Sequence, residues 1–210
     1  MAEQAPTFQY ATRAQQDDAS ALGMWTFLAT EVLFFGALLA GYSAYRITHP
    51  AEFAEAARHT RIVLGAANTA ILLTSSAFMA MAVEMTGAGR RRAAAFCLAI
   101  TAALGIGFML IKGWEYSLEY GEQLVPGLDF DVDRYGGIAE LFFLFYFFAT
   151  GVHALHLTIG IAMVGGLAIR SASADPPKAI SVRMIGLYWH FVDVVWIFLF
   201  PLIYLVGRNA

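Results

Sequence analysis

Glu31 is the polar residue whose position most needs an explanation, because its carboxyl lies in the middle of an apolar run. It follows Phe-Leu-Ala-Thr and precedes Val-Leu-Phe-Phe. A charge near the centre of a bilayer costs at least about 2.5–3.5 kcal/mol on insertion scales, so burial favours the neutral acid. Two interpretations fit: a carboxyl that exchanges protons or contacts lipid, and a protonated acid that hydrogen-bonds to a neighbouring helix.

His153 and His156 are three residues apart in another apolar run, so they share one face of a helix. Histidine is a common ligand of metals and haem. Haem b in a bundle usually needs histidines on two helices, and His190 is the only other histidine inside an apolar segment. We favour hydrogen bonds across helices or to lipid headgroups, since polar side chains commonly make them in membrane bundles.

His190 and Asp193 also share a helix face, with Trp189 and Trp196 beside them. A carboxylate at this spacing can fix the tautomer of an imidazole. The group could act as a proton relay or as a fixed polar lock at a helix interface.

Two further polar groups lie on apolar segments. Lys112, Glu115 and Glu119 recur at helical spacing near the expected edge of the membrane, where they either pair or extend towards headgroups. The second group can bond across helices and consists of Asn68, Thr69, Thr74, Ser75 and Ser76.

Composition places these residues in a membrane protein. The 210-residue chain is 59% hydrophobic and 14% charged, with a mean hydropathy of +0.62, whereas soluble domains are roughly 45–50% apolar and about 25% charged. The formal charge of −3 gives no basic field for nucleic acid. Cys97 is the single cysteine, so an internal disulfide is excluded. Residues 1–20 have no apolar core, so we expect no cleaved secretory signal.

Five apolar stretches are long enough to cross a bilayer core of about 30 Å. They predict an all-α bundle of about five transmembrane helices over residues 22–45, 62–85, 93–118, 138–169 and 184–206. Residues 1–21 form an N-terminal segment before this 22–210 membrane domain. Arg90, Arg91 and Arg92 crowd a short turn, which predicts a cytoplasmic N-terminus and an external C-terminus.

Glycines in these spans predict close approach of helices: Gly36, Gly41, Gly65, Gly105, Gly107, Gly151, Gly160 and Gly166. The sequence contains no phosphate loop, CxxC, HExxH or serine elbow. The residues alone therefore leave a transporter, a channel, a haem protein and an accessory subunit open.

Five segments resemble, in the same order along the chain, subunit III of the haem–copper respiratory oxidases. They are TEVLFF at 30–35, ANTAILL at 67–73, KGWEY at 112–116, FATGVHALH at 148–156 and YWHFVDVVW at 188–196. The last two are highly specific, and together the segments extend over nearly the whole chain.

The resemblance implies an accessory subunit of a proton-pumping oxidase that reduces oxygen to water in the bacterial cytoplasmic membrane. Such a subunit holds no redox cofactor. It packs on subunit I, which holds haem and copper, and belongs to a complex that also contains subunit II. It supports proton uptake, binds phospholipid in a cleft and protects subunit I during turnover. Glu31 matches the family's carbodiimide-reactive glutamate. The family's other characteristic polar positions match Glu115, His153, His156, His190 and Asp193.

The resemblance has one departure, since mitochondrial-type members have seven helices and this chain starts at what would be the third. Short five-helix forms occur in bacterial cytochrome c oxidases, in quinol oxidases and in a relative associated with nitric-oxide reductase. Glu31 and the Glu115–Tyr116 pair favour the cytochrome c type. The rivals from other classes are a proton-coupled transporter, which predicts inverted repeats that the sequence lacks, and a membrane haem b protein.

Overall fold

The computed structural model describes residues 12–128, 130–173 and 176–207, and over these residues the chain is helical, with no strand. Parts of the predicted N-terminal segment and the last residues of the predicted membrane domain lie outside them, as do Asp129 and Asp175. The helices are α1 Arg13–Thr48, α2 Pro50–Arg58, α3 Ile62–Gly87, α4 Arg91–Gly121, α5 Val132–Tyr135, α6 Gly137–Ala172 and α7 Ala179–Tyr204.

Five of these helices, α1, α3, α4, α6 and α7, are long and apolar enough to cross a membrane. This result confirms the predicted all-α fold with about five membrane spans. Several helices run past the apolar stretches that predicted them: α1 already begins at Arg13 and α6 continues to Ala172. A helix in a bilayer pairs its backbone N–H and C=O groups by hydrogen bonds within the helix. The polar ends of these helices continue this hydrogen bonding beyond the apolar core.

Local signals set the helix ends. The Thr12 side chain accepts a hydrogen bond from the backbone N–H of Gln15 at 3.2 Å and caps α1. Pro50 occupies the first turn of α2, where its missing N–H costs nothing. Between α3 and α4 the chain turns at Gly89, whose φ of +72° is a conformation that glycine adopts without strain.

The membrane helices alternate in direction, so α1, α4 and α7 all end on one side of the bundle, called here the C-terminal side. Two contacts show this arrangement. Tyr42 near the end of α1 donates a hydrogen bond of 2.7 Å to the carbonyl of Leu202 near the end of α7. Arg61, at the start of α3, forms an ion pair with Glu122, at the end of α4.

Helix α1 lies at the edge of the bundle, while α3, α4, α6 and α7 form its body. Only 11% of the most apolar stretch of α1 is buried, against 44% of that of α7. Phe35 and Tyr42 anchor α1 in the core, but Leu33 is 73% exposed. An apolar face of this kind requires lipid or another protein around it.

The closest helix contacts surround Trp189. A Cβ atom on Gly105 of α4 would lie 2.8 Å from the indole and 2.9 Å from Ile161 of α6, and one on Gly160 would lie 3.2 Å from the indole. Gly65 is equally tight against Phe200. Within the chain, the predicted close approach is not found at a second set of glycines, which have no described atom within 4 Å of the Cβ position: Gly36, Gly107, Gly151 and Gly166.

We expect Gly105→Ala to destabilise the bundle by about 1–3 kcal/mol, the usual penalty for overpacking a core. The added methyl would force Trp189 or Ile161 to move. Gly107→Ala is the matched control on the same helix, because its Cβ position is open. Unfolding of both variants by a denaturing detergent, followed by circular dichroism, measures the difference. Equal midpoints for the two variants would contradict the packing described here.

Candidate functional site

Glu31 and His156 meet at the contact between α1 and α6. His156 Nε2 lies 3.1 Å from Glu31 Oε2, and the two side chains are 15% and 19% exposed. His156 Nδ1 lies 2.9 Å from the carbonyl of Val152, which can only accept, so Nδ1 carries a hydrogen. One further proton is therefore shared between Nε2 and the carboxyl. Whether it resides on the acid or on the imidazole, the pair as a whole is neutral.

A third helix completes this site. The hydroxyl of Tyr188 on α7 donates a hydrogen bond of 2.9 Å to the carbonyl of His156. The ring of Phe35 lies edge-on to the imidazole, with centroids 5.4 Å apart. Glu31 and His156 keep a small opening to the surface of the chain.

His153 faces a different neighbour from His156. It is fully buried, and its Nε2 donates a hydrogen bond of 3.1 Å to the carbonyl of Val192 on α7. Its Nδ1 has no hydrogen-bond partner among the described residues, and the ring packs against Phe108 and Trp196 at centroid distances of 5.6 and 5.1 Å. The two histidines on one helix thus join α6 to α7 and to α1 separately.

Three side-chain contacts join α3 and α7. They are Trp189 Nε1 to Ser75 Oγ at 3.1 Å, His190 Nδ1 to Ser76 Oγ at 2.7 Å, and Trp196 Nε1 to Thr69 Oγ1 at 3.0 Å. The hydroxyls of Ser75 and Thr69 also donate to carbonyls of α3 itself. Each of these two hydroxyls therefore both accepts and donates, which is what a buried hydroxyl requires. Thr74 bonds only within α3.

Asp193 and Asn68 are buried beside this set without hydrogen-bond partners for their side-chain oxygens among the described residues. Ser76 Oγ makes its close contact with His190 Nδ1, at 2.7 Å. The imidazole of His190 is thus held by a hydroxyl of α3, whereas the sequence pointed to Asp193 on its own helix. Asn68 lies fully inside the bundle.

A fully buried polar group, called here the lysine cluster, lies towards the C-terminal side. Its members are Lys112, Glu115, Glu119, Tyr146 and Tyr204. The ammonium of Lys112 donates three hydrogen bonds, at 3.0 Å to Glu115 Oε2, 2.7 Å to the Tyr146 hydroxyl and 2.6 Å to the Tyr204 hydroxyl. An ammonium has three N–H donors, so all three are used.

The two tyrosines pass hydrogen bonds on to the carboxyl groups. Tyr146 donates to Glu119 Oε1 at 2.6 Å, and Tyr204 donates to Glu115 Oε2 at 3.1 Å. Aromatic rings also surround the ammonium, with centroid distances of 4.4 Å for Tyr146 and 4.8 Å for Tyr116. Such cation–π contacts stabilise a desolvated ammonium.

The lysine cluster decides between the two interpretations of Lys112. Its side chain is 2% exposed and pairs with Glu115, so it does not extend towards headgroups. The three-residue spacing indicated this pair. Sequence reasoning missed Tyr146, Tyr188 and Tyr204, because they come from other helices and no local pattern marks their hydroxyls.

The fold and these contacts define a membrane protein of five candidate spans whose polar side chains bind mainly to one another. Among the described residues, no group of three or more histidine, cysteine, aspartate or glutamate side chains could hold a metal ion. The family model of cytochrome c oxidase subunit III matches residues 3–208. The chain therefore belongs to the cytochrome c oxidase subunit III family, as its sequence motifs predicted, and by family it is a subunit of a haem–copper oxidase complex.

Curated relatives match over almost the same length. Cytochrome c oxidase subunit 3 of Thermostichus vulcanus is 32% identical over 92% of this chain and 90% of that protein. A probable quinol oxidase subunit 3 of Staphylococcus epidermidis is 27% identical over 93% of each chain. The haem–copper oxidase subunit I+III of Aeropyrum pernix is 30% identical over 87% of this chain and 22% of that protein.

We expect Lys112→Met to destabilise the chain by about 3–5 kcal/mol, because it leaves the Glu115 carboxylate buried without its cation. Adding Glu115→Gln should recover most of the loss, since a neutral pair of similar size replaces the ion pair. Lys178→Met, at an exposed position before α7, is the control for loss of a lysine. Detergent unfolding measures all three variants. If the double variant were no more stable than Lys112→Met, the ion pair would not be the stabilising contact.

Proposed function

We propose that this chain is the accessory, cofactor-free subunit III of a bacterial proton-pumping haem–copper terminal oxidase. The observation that carries the proposal is the match of the subunit III family to residues 3–208. The complex reduces oxygen to water. Haem and copper are held by subunit I, and the present chain contributes binding surface, buried polar contacts and protection of subunit I during turnover.

Subunit I is the main partner in this proposal, with subunit II in the same complex. The fused subunit I+III of Aeropyrum pernix supports a direct contact, because a sequence similar to this chain is joined there to subunit I. Glycines on the helix surfaces that have no neighbour in this chain also suit contact with a partner helix, because small residues allow close approach. They include Gly107 on α4 and Gly151 and Gly166 on α6.

Glu31 and His156 are the residues proposed to connect this subunit with proton uptake. They share one proton in a neutral pair and retain a small opening to the surface. Movement of the shared proton between the carboxyl and the imidazole leaves the pair neutral, whereas exchange with the surroundings changes the charge inside the bilayer. The exposed face of α1, with Leu33 and Val32, supports phospholipid binding next to this pair.

The proposed location is the bacterial cytoplasmic membrane, with the N-terminus in the cytoplasm. Arg90, Arg91 and Arg92 are all exposed at the start of α4, on the side opposite the C-terminal side. Positively charged short loops remain in the cytoplasm, which supports this orientation.

Cytochrome c is proposed as the electron donor of the complex. Glu31 and the Glu115–Tyr116 pair resemble the cytochrome c type, and the Thermostichus vulcanus relative carries that name. The Staphylococcus epidermidis relative is named a quinol oxidase subunit, so quinol is the alternative donor. Neither donor is expected to bind to this chain.

Purification of the tagged chain in a mild detergent tests the proposal. The expected result is a larger complex with a haem spectrum that consumes oxygen when supplied with reduced cytochrome c. Activity with quinol alone would keep the subunit III assignment and replace the donor. A colourless preparation without large partners would overturn the assignment and favour a proton-coupled transporter, and a Soret band from the isolated chain would favour a haem b protein.

Glu31→Gln should leave assembly of the complex intact. A neutral amide can replace the acid next to His156 Nε2, because its NH₂ group can donate to the imidazole lone pair. Glu31→Leu, which removes the hydrogen bond, is the matched comparison. The measurement is the haem recovered with each tagged variant, followed by the duration of oxygen consumption. Loss of the complex in Glu31→Gln would mean that the native carboxyl is ionised and paired with a charged His156.

A further inference from the structure

The lysine cluster contains one cation and two carboxyl groups, and it lies apart from the Glu31–His156 pair. The ammonium of Lys112 makes an ion pair with Glu115 at 3.0 Å. Glu119 forms no ion pair with any residue that the structure describes, although its side chain is completely buried. If both carboxyl groups were ionised, the cluster would carry an uncompensated negative charge inside the protein.

The hydrogen bonds distinguish the two carboxyl groups. Glu115 Oε2 accepts from both Lys112 and Tyr204. Glu119 accepts only one hydrogen bond, from Tyr146 to Oε1. Each carboxyl group also has one oxygen that is buried without a partner among the described residues, so the two groups differ in their number of donors and in the ion pair. A carboxylate offers acceptor sites on both oxygens, so a single donor is too few for a charged group at this depth.

Among the described residues, no nearby cation is left to compensate Glu119. The charged groups that act on it are Lys112, Glu115 and Glu122. Lys112 is already neutralised by Glu115, and Glu122 is bound to Arg61 at the rim of the bundle. The remaining ionisable groups of the site are the hydroxyls of Tyr116, Tyr146 and Tyr204, which cannot supply positive charge.

We propose that Glu119 is a proton-binding site, which holds an exchangeable proton while Glu115 stays ionised beside Lys112. The site lies near the C-terminal side of the bundle, since Glu122 follows one turn later on the same helix and its side chain is 41% exposed. Tyr146 joins the protonated acid to the ammonium, so any change of charge on Glu119 is transmitted to Lys112 and Glu115.

Infrared spectroscopy of the purified assembly that contains the tagged chain tests the site, whichever partners accompany it. Protonated carboxyl groups have a C=O absorption distinct from that of carboxylates. The Glu119→Gln assembly should lose the equivalent of one protonated carboxyl per chain relative to the native assembly, and this absorption should shift after transfer of the native assembly to D₂O. Glu84→Gln, an exposed position on α3, is the matched control and should leave the absorption unchanged.

An unchanged absorption in Glu119→Gln would overturn the proposal, because the native carboxyl would then be ionised. Failure of Glu119→Gln to assemble, alongside normal assembly of Glu84→Gln, would overturn it as well, since an amide closely replaces a protonated acid but not a carboxylate. An absorption that is lost in Glu119→Gln but does not shift in D₂O would contradict exchange of this proton with the solvent.

Discussion

The buried ammonium of Lys112 is the constraint on which the packing of helices towards the C-terminal side of the bundle depends. An ammonium removed from water needs a counter-charge and a partner for each N–H group. Here these come from Glu115 on its own helix, Tyr146 on α6 and Tyr204 at the end of α7. Three helices must therefore meet with defined register at this level, and loss of any one partner leaves a polar group unsatisfied.

The same requirement operates elsewhere in the bundle with neutral groups. Indole N–H groups of Trp189 and Trp196 bind to hydroxyls on α3, and His153 binds to a backbone carbonyl of α7. In a bilayer an apolar side chain gains little by contacting another helix instead of lipid, because both surroundings are apolar. These hydrogen bonds, and tight contacts such as that at Gly105, therefore define which helices are neighbours. Helix α1 has few of them and lies at the edge, where Glu31 supplies its main polar contact to α6.

These features suit the accessory role proposed for this chain within a larger oxidase. The Glu31–His156 pair lies halfway along its helices and opens slightly to the surface, while the lysine cluster is closed and lies towards the C-terminal side. In both sites a carboxyl group is placed so that its protonation changes charge inside a low-dielectric interior. Any such change is communicated to neighbouring helices through hydrogen bonds, because electrostatic interactions are stronger in a low-dielectric interior.

The sequence by itself determined the helical class, the number of membrane spans and the family, because runs of about 20 apolar residues and specific motifs are local properties of the chain. It also indicated the Lys112–Glu115 pair and the hydroxyls of α3 that bond to α7, since helical spacing fixes which residues share a face. Only the tertiary structure decided that Glu31 meets His156, that Ser76 rather than Asp193 holds His190, and that Tyr146 and Tyr204 enclose the lysine. Those contacts join residues far apart in the chain, and helix rotation and register, which apolar composition leaves undetermined, decide them.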